Sequence, residues 1–175
     1  MTLKKAKLMA VYKGEGEDIE FMFNPNQLAF SRSISLEQAK GSQTGKGNNK
    51  VSFKHPNPYS LKISNILIDT YESEKDSVLS IIGKFKKAVE FTDKGKGKEK
   101  RPPIYLFTWG DYNYLRCFVK TFSFKLTLFR PDGTPVRATV DLDLEQVDLP
   151  NSQPGQGPPN PDEKLRQDQG RNAFF

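Results

Sequence analysis

The strongest pattern in the chain is an alternation of apolar and polar residues in its last third. Phe118, Phe122, Phe124, Leu126 and Leu128 share one parity, and Thr121, Ser123, Lys125 and Thr127 the other. Val136, Ala138, Val140, Leu142 and Leu144 then alternate with Arg137, Thr139, Asp141, Asp143 and Glu145. Successive side chains of a strand point to opposite faces, so each stretch predicts a strand with one buried and one solvated face. Pro131-Asp132-Gly133 between them is turn chemistry, and the pair reads as a long antiparallel hairpin. Clean two-faced patterning of this kind suits an antiparallel sandwich or barrel rather than a parallel sheet covered on both sides.

Shorter runs predict further strands at 7–13, 19–23, 28–36, 61–68, 104–109 and 112–119, the last continuing into the hairpin. Gly14-Glu15-Gly16-Glu17 and Asn24-Pro25-Asn26 punctuate the first three. One helix is expected at about 72–91, where Val78, Ile81, Ile82, Phe85 and Val89 fall on one helical face. Ser73 followed by Asp76 resembles a weak capping box at its start. The fold class is therefore mainly β: an antiparallel barrel or sandwich with one amphipathic helix across its mouth or face.

Two segments lack periodicity: 39–58, rich in Gly, Lys and Asn, and 92–101, built of Lys-Gly repeats. Aperiodic stretches of this length inside a domain are functional or disordered loops. The Pro- and Gln-rich stretch from Pro150 to Phe175 reads as an extended tail on a β domain of 1–149. Its Phe174 and Phe175 either anchor the tail on a neighbour or end it in solvent.

Composition refines this picture. The chain has 175 residues, one ordinary domain's worth, and its 13 Phe, 6 Tyr and 1 Trp supply a core despite a 35% hydrophobic content. No run approaches the roughly 20 apolar residues of a membrane span. Lys4, Lys5 and Lys7 lie at the start without a signal-like apolar stretch, so cytoplasmic assembly is expected. The net charge of +6 is unevenly placed. Lys40, Lys46, Lys50 and Lys54 contribute +4 in the first aperiodic segment; Lys94, Lys96, Lys98, Lys100 and Arg101, against Glu99, contribute +4 over 94–101 of the second. The remainder carries −2, so the high pI belongs to two appendages.

Catalytic chemistry finds little to use. The single histidine, His55, lies in an aperiodic segment, and the single cysteine, Cys117, sits in an apolar strand pattern as a buried hydrophobe. Neither zinc spacings nor a phosphate-binding glycine motif is present. Asp141, Asp143 and Glu145 alternate on one strand face, as an exposed polar face does. No cofactor and no small-molecule substrate are expected. A nucleic-acid-binding β-barrel is the alternative: lysines among glycines neutralise phosphates, and Tyr105, Phe107, Trp109, Tyr112 and Tyr114 could stack bases.

Four strings occur in order: Phe23-Asn24-Pro25; Leu67-Ile68-Asp69-Thr70-Tyr71-Glu72; Arg101-Pro102-Pro103 leading to Phe107-Thr108-Trp109-Gly110; and Phe129-Arg130-Pro131-Asp132-Gly133-Thr134-Pro135-Val136-Arg137-Ala138. Together, over about residues 5–149, they resemble the N-terminal domain of the tube proteins of contractile injection systems, in the tube-initiator or baseplate-adaptor class of antifeeding-prophage-like particles. The resemblance implies a tail-tube type β-barrel or sandwich that forms a noncatalytic hexameric ring between the inner tube and the spike or hub. Its partners would be copies of itself and the tube, spike or hub, and baseplate proteins of the particle. Many relatives continue past a Leu-Pro-Asn linker into a LysM domain; here only 24 residues follow Leu149-Pro150-Asn151, too few for one. Lys46, Lys50, Lys54, Lys96, Lys98, Lys100, Arg101, Phe174 and Phe175 are the expected contacts between subunits or layers.

Overall fold

The computed structural model describes residues 2–43, 49–73, 77–92, 100–147 and 171–172. Within them the chain runs β1 (Ala6–Ala10), β2 (Ile19–Glu20), β3 (Ala29–Ser31), β4 (Ile34–Gln43), β5 (Asn49–Pro56), β6 (Ser60–Asp69), α1 (Val78–Val89), β7 (Tyr105–Trp109), β8 (Tyr112–Phe129), β9 (Pro135–Gln146) and β10 (Arg171–Asn172). The main sheet has the order β2-β1-β7-β8-β9-β6-β3, with all neighbours antiparallel. It curls into a half-barrel with one helix. β4 and β5 form a separate two-stranded sheet.

The predicted hairpin is the spine of the sheet, and its turn is as expected. Arg130 N–H donates to the Thr134 carbonyl at 2.8 Å, and Asp132 Oδ1 accepts from Thr134 N–H at 2.9 Å. Gly133 has φ of +85°, a left-handed conformation that glycine adopts without a Cβ penalty. β9 alternates without interruption, burying Val136, Ala138, Val140, Leu142 and Leu144. Its two neighbours do not. In β8 the pairing steps from Val119↔Leu144 to Thr121↔Asp143, leaving Lys120 as one extra residue. In β6 it steps from Ile63↔Leu142 to Ile66↔Val140, again one residue too many.

Each bulge moves the strand's inward parity by one and bends the ribbon. β8 therefore buries Leu115, Cys117 and Val119, then turns Phe122 and Leu126 inward. Phe118 lies before the bulge on the opposite face from Phe122, which corrects its expected place on the Phe122 face. β6 likewise buries Leu61 and Ile63, then Ile66 and Ile68. Asn65 occupies that bulge at φ +56°, and its N–H is held by Asp141 Oδ1 at 2.8 Å.

α1 lays its apolar face on the concave side, burying Val78, Ile82, Phe85 and Ala88. Phe85 meets Phe21 and Phe122 at centroid separations of 6.0 and 6.1 Å, so one ring joins the β2 end of the curled sheet to its central strand β8. The helix begins at Val78 with Ser77 as N-cap and no side-chain cap bond, later than the expected 72. Asp69 Oδ1 accepts Tyr71 N–H at 3.0 Å and Ser73 N–H donates to the Thr70 carbonyl at 3.1 Å. The chain around Thr70 is thus held in a turn, because a short polar side chain competes with the helix for backbone donors. Asp76 of the expected capping box is outside the described residues.

Two other expectations are corrected. The stretch 28–36 divides into β3 and β4, and much of the aperiodic 39–58 is strand: β4 pairs with β5 from Ile34↔Pro56 to Gln43↔Asn49. Composition concealed a weak alternation there, since Gly, Lys and Asn are poor strand formers. The tail is mostly outside the described residues, but Arg171–Asn172 pairs in parallel with Tyr112–Asn113 of β8.

Candidate assembly surfaces

Cys117, Asp141 and Glu145, three of the side chains that could carry chemistry, have structural roles. Cys117 is fully buried, and burial pushes its thiol up to about 12. Asp141 holds the β6 bulge, and Glu145 pairs with Lys120. His55 is exposed on β5. Among the described residues no group of three His, Cys, Asp or Glu side chains could hold a metal, and no helix is long and apolar enough to cross a membrane. The aromatics offered as a stacking platform are dispersed: Tyr105 and Phe107 lie in the core, Trp109 and Tyr114 are half-buried, and Tyr112 is exposed.

Three of the four strings meet at one end of the half-barrel. Asp69 closes β6, and Arg137 opposite it in β9 donates to Asp69 Oδ2 from Nε at 2.8 Å and from one terminal nitrogen at 2.6 Å. The Tyr71 N–H, and then Arg137, hold the Asp69 carboxyl below its ordinary 3.8. Thr70 N–H donates to the Val136 carbonyl at 2.8 Å, and Arg130 to the Tyr71 carbonyl at 3.4 Å. On the other wall, Asn24 ties the first string to β1, accepting from Ala6 N–H and donating to the Lys4 carbonyl, each at 2.9 Å. Phe23, Asp69, Tyr71, Glu72, Ser73 and Arg137 then line an open cleft of about 590 Å³. Asn24, Asp69 and Arg137 shape the backbone, whereas Phe23 and Tyr71 stand exposed at its mouth. Reading the strings as turn punctuation misses these two; the available signal was an aromatic residue set inside each turn segment.

Of the expected contact residues, Lys54, Lys100 and Arg101 have described side chains. Lys54 is exposed and reaches Glu37 across the β4–β5 hairpin at 3.6 Å, a solvated pair worth about 0–1 kcal/mol. Lys100 is exposed. Arg101 forms a two-pronged bond with Glu15, at 2.8 and 3.1 Å, and its guanidinium lies 5.0 Å from the Tyr12 ring centroid. With Thr92 N–H donating to the Arg101 carbonyl at 3.0 Å, the base of the second basic segment is closed against the Gly14–Glu17 turn. Lys50 lies on β5, with no described side chain. Lys46, Lys96, Lys98, Phe174 and Phe175 are outside the described residues.

Two kinds of unsatisfied surface remain. The first is backbone. β7 pairs with β8 only over Tyr112–Cys117, so from Phe118 to Phe129 that edge of β8 meets no described strand. β3 pairs with β6 only over Ser60–Lys62, leaving the outer edge from Ile63 onward without a described strand partner. The second is apolar: Ile34, Leu36 and Phe53 are exposed on the β4–β5 hairpin, with Leu36 directly opposite Phe53. Ile34 and Leu36 fall within the strand expected at 28–36, whereas Phe53 falls in the basic segment, where no strand was expected to pair with it.

Open sheet edges and an apolar ribbon are surfaces on which a structural β module can take partners. The chain belongs to the contractile injection system tube proteins, whose family model matches residues 1–154. No curated protein sequence matches it.

Proposed function

We propose that this tube protein is a noncatalytic tube initiator or baseplate adaptor, forming a six-fold ring that joins the inner tube to the spike or hub. The observation that carries the reading is the pair of open edges on opposite sides of the three strands β8, β9 and β6. An open edge presents unpaired N–H and C=O groups, and two different edges on one subunit fit each other head to tail. If the rotation per subunit closes, the product is a ring whose sheet runs on from copy to copy. The polar face of these strands suits an open bore: Lys62 lies opposite Asp143, Arg137 pairs with Asp69, and Lys120 with Glu145.

In this reading residues 1–149 form the ring-building domain and 150–175 an arm toward a neighbour. Lys46, Lys50, Lys54, Lys96, Lys98, Lys100, Arg101, Phe174 and Phe175 meet adjoining subunits, the tube protein, the spike or hub, or the baseplate. Assembly takes place in the cytoplasm. Cryo-electron microscopy of the particle tests this: six copies per layer, with β8 of one subunit hydrogen-bonded to β6 of the next, are expected. Three copies per layer, or a layer without strand pairing between subunits, would overturn it.

A further inference from the structure

We infer that the apolar face of the β4–β5 hairpin of one copy seats in the Phe23–Tyr71 cleft of a second copy. The inference rests on the self-assembly reading and assigns it a contact distinct from edge pairing.

The hairpin is a two-stranded sheet hydrogen-bonded to no other described strand. Such ribbons are marginally stable alone and gain from covering one face. Its base is fixed: Arg32 Nε donates to the Asn57 carbonyl, and Asn57 Oδ1 and Nδ2 engage Ser35 and Ser33, all at 2.8 Å. Beyond that base, Ile34, Leu36 and Phe53 remain 58, 53 and 77% exposed, large values for three apolar side chains on one ribbon. A projecting stripe of this kind marks an interaction surface.

The cleft is complementary in shape, polarity and charge. It is concave, and its mouth carries Phe23 and Tyr71 at 45 and 58% exposure, the aromatic type enriched where binding energy concentrates. Its rim includes exposed Glu72, and the sequence from Glu72 to Asp76 holds three carboxylates against one lysine. The hairpin from Ile34 to Pro56 holds four lysines against one carboxylate, Glu37, which pairs with Lys54. Opposite charge favours this pairing and disfavours hairpin against hairpin or cleft against cleft. Because hairpin and cleft are different surfaces of one chain, the contact is heterologous, as continued addition of copies requires.

Cross-linking tests it on the full chain, in which the sole native cysteine is buried. Phe53→Cys and Tyr71→Cys are made as separate proteins and mixed under oxidising conditions that permit assembly. A covalent heterodimer from the mixture, and none from either protein alone, is the expected result. A dimer of Phe53→Cys alone that matches the mixture in yield would place hairpin on hairpin and overturn the inference. Wild-type assembly by light scattering is the control. If copies assemble and 53 and 71 do not cross-link, the contact is wrong and the ring reading stands; if no assembly occurs under particle-forming conditions, both fall. Phe53→Glu, at an exposed position, should keep the monomer's melting temperature and weaken self-association at least tenfold; unchanged association would also overturn the contact.

Discussion

At the scale of single residues, the ends of the sheet are held by charge placed against backbone. Asp69 accepts the Tyr71 N–H and receives both prongs of Arg137, so its charged form is stabilised in the fold. A carboxyl with a depressed folded value binds fewer protons in the fold than in the unfolded chain. Its stabilisation is therefore complete above the ordinary value of 3.8 and is lost as pH falls through the lower, folded value. Asp69→Asn keeps an acceptor for Tyr71 and removes the charge. Urea unfolding at pH 7 should find wild type the more stable, and the gap should shrink steadily below about pH 4. A gap constant from pH 2 to 7 would show that the charge contributes nothing.

At the scale of elements, the fold depends on bulges more than on strand propensity. Lys120 is exposed and its bond to Glu145 lies on the surface, so Lys120→Ala should leave stability close to that of wild type. Deleting Lys120 is a different perturbation. It removes the extra residue, so Val119↔Leu144 and Thr121↔Asp143 become consecutive pairs, Phe122 keeps its inward face against Phe85, and only the local bend is lost. Thermal melting followed by circular dichroism should show a cooperative transition for both variants, near wild type for Lys120→Ala and lower for the deletion. If the deletion melts as wild type does, the bend at the bulge contributes nothing to stability.

At the scale of the whole molecule, the two basic segments should act on partners and leave the fold alone. Reversing Lys46, Lys50, Lys96 and Lys98 to Glu changes net charge by −8, from +6 to −2, and touches no core residue. The isolated variant should melt within a few degrees of wild type and fail to join neighbouring layers in particles examined by electron microscopy. Normal particles from the variant, together with wild-type DNA binding that falls steeply with salt, would instead favour the nucleic-acid alternative.

The antiparallel class, the long hairpin with its Asp-Gly turn, the helix face around Ile82 and Phe85, and the family are all legible in the order of the amino acids. These are readable because alternation, 3.6-residue spacing and turn chemistry are local properties. Where the strands change face, how late the helix starts and which aromatics stay exposed were decided by tertiary structure. A bulge at Lys120 or Asn65 exists only relative to the partner strand β9, whose own alternation is unbroken. Phe23 and Tyr71 look like any strand or turn aromatic until β1, β6 and β9 bring their segments together around Asp69 and Arg137. The β4–β5 ribbon was hidden for a related reason: its pairing depends on two strands finding each other, and neither has a residue composition that announces it.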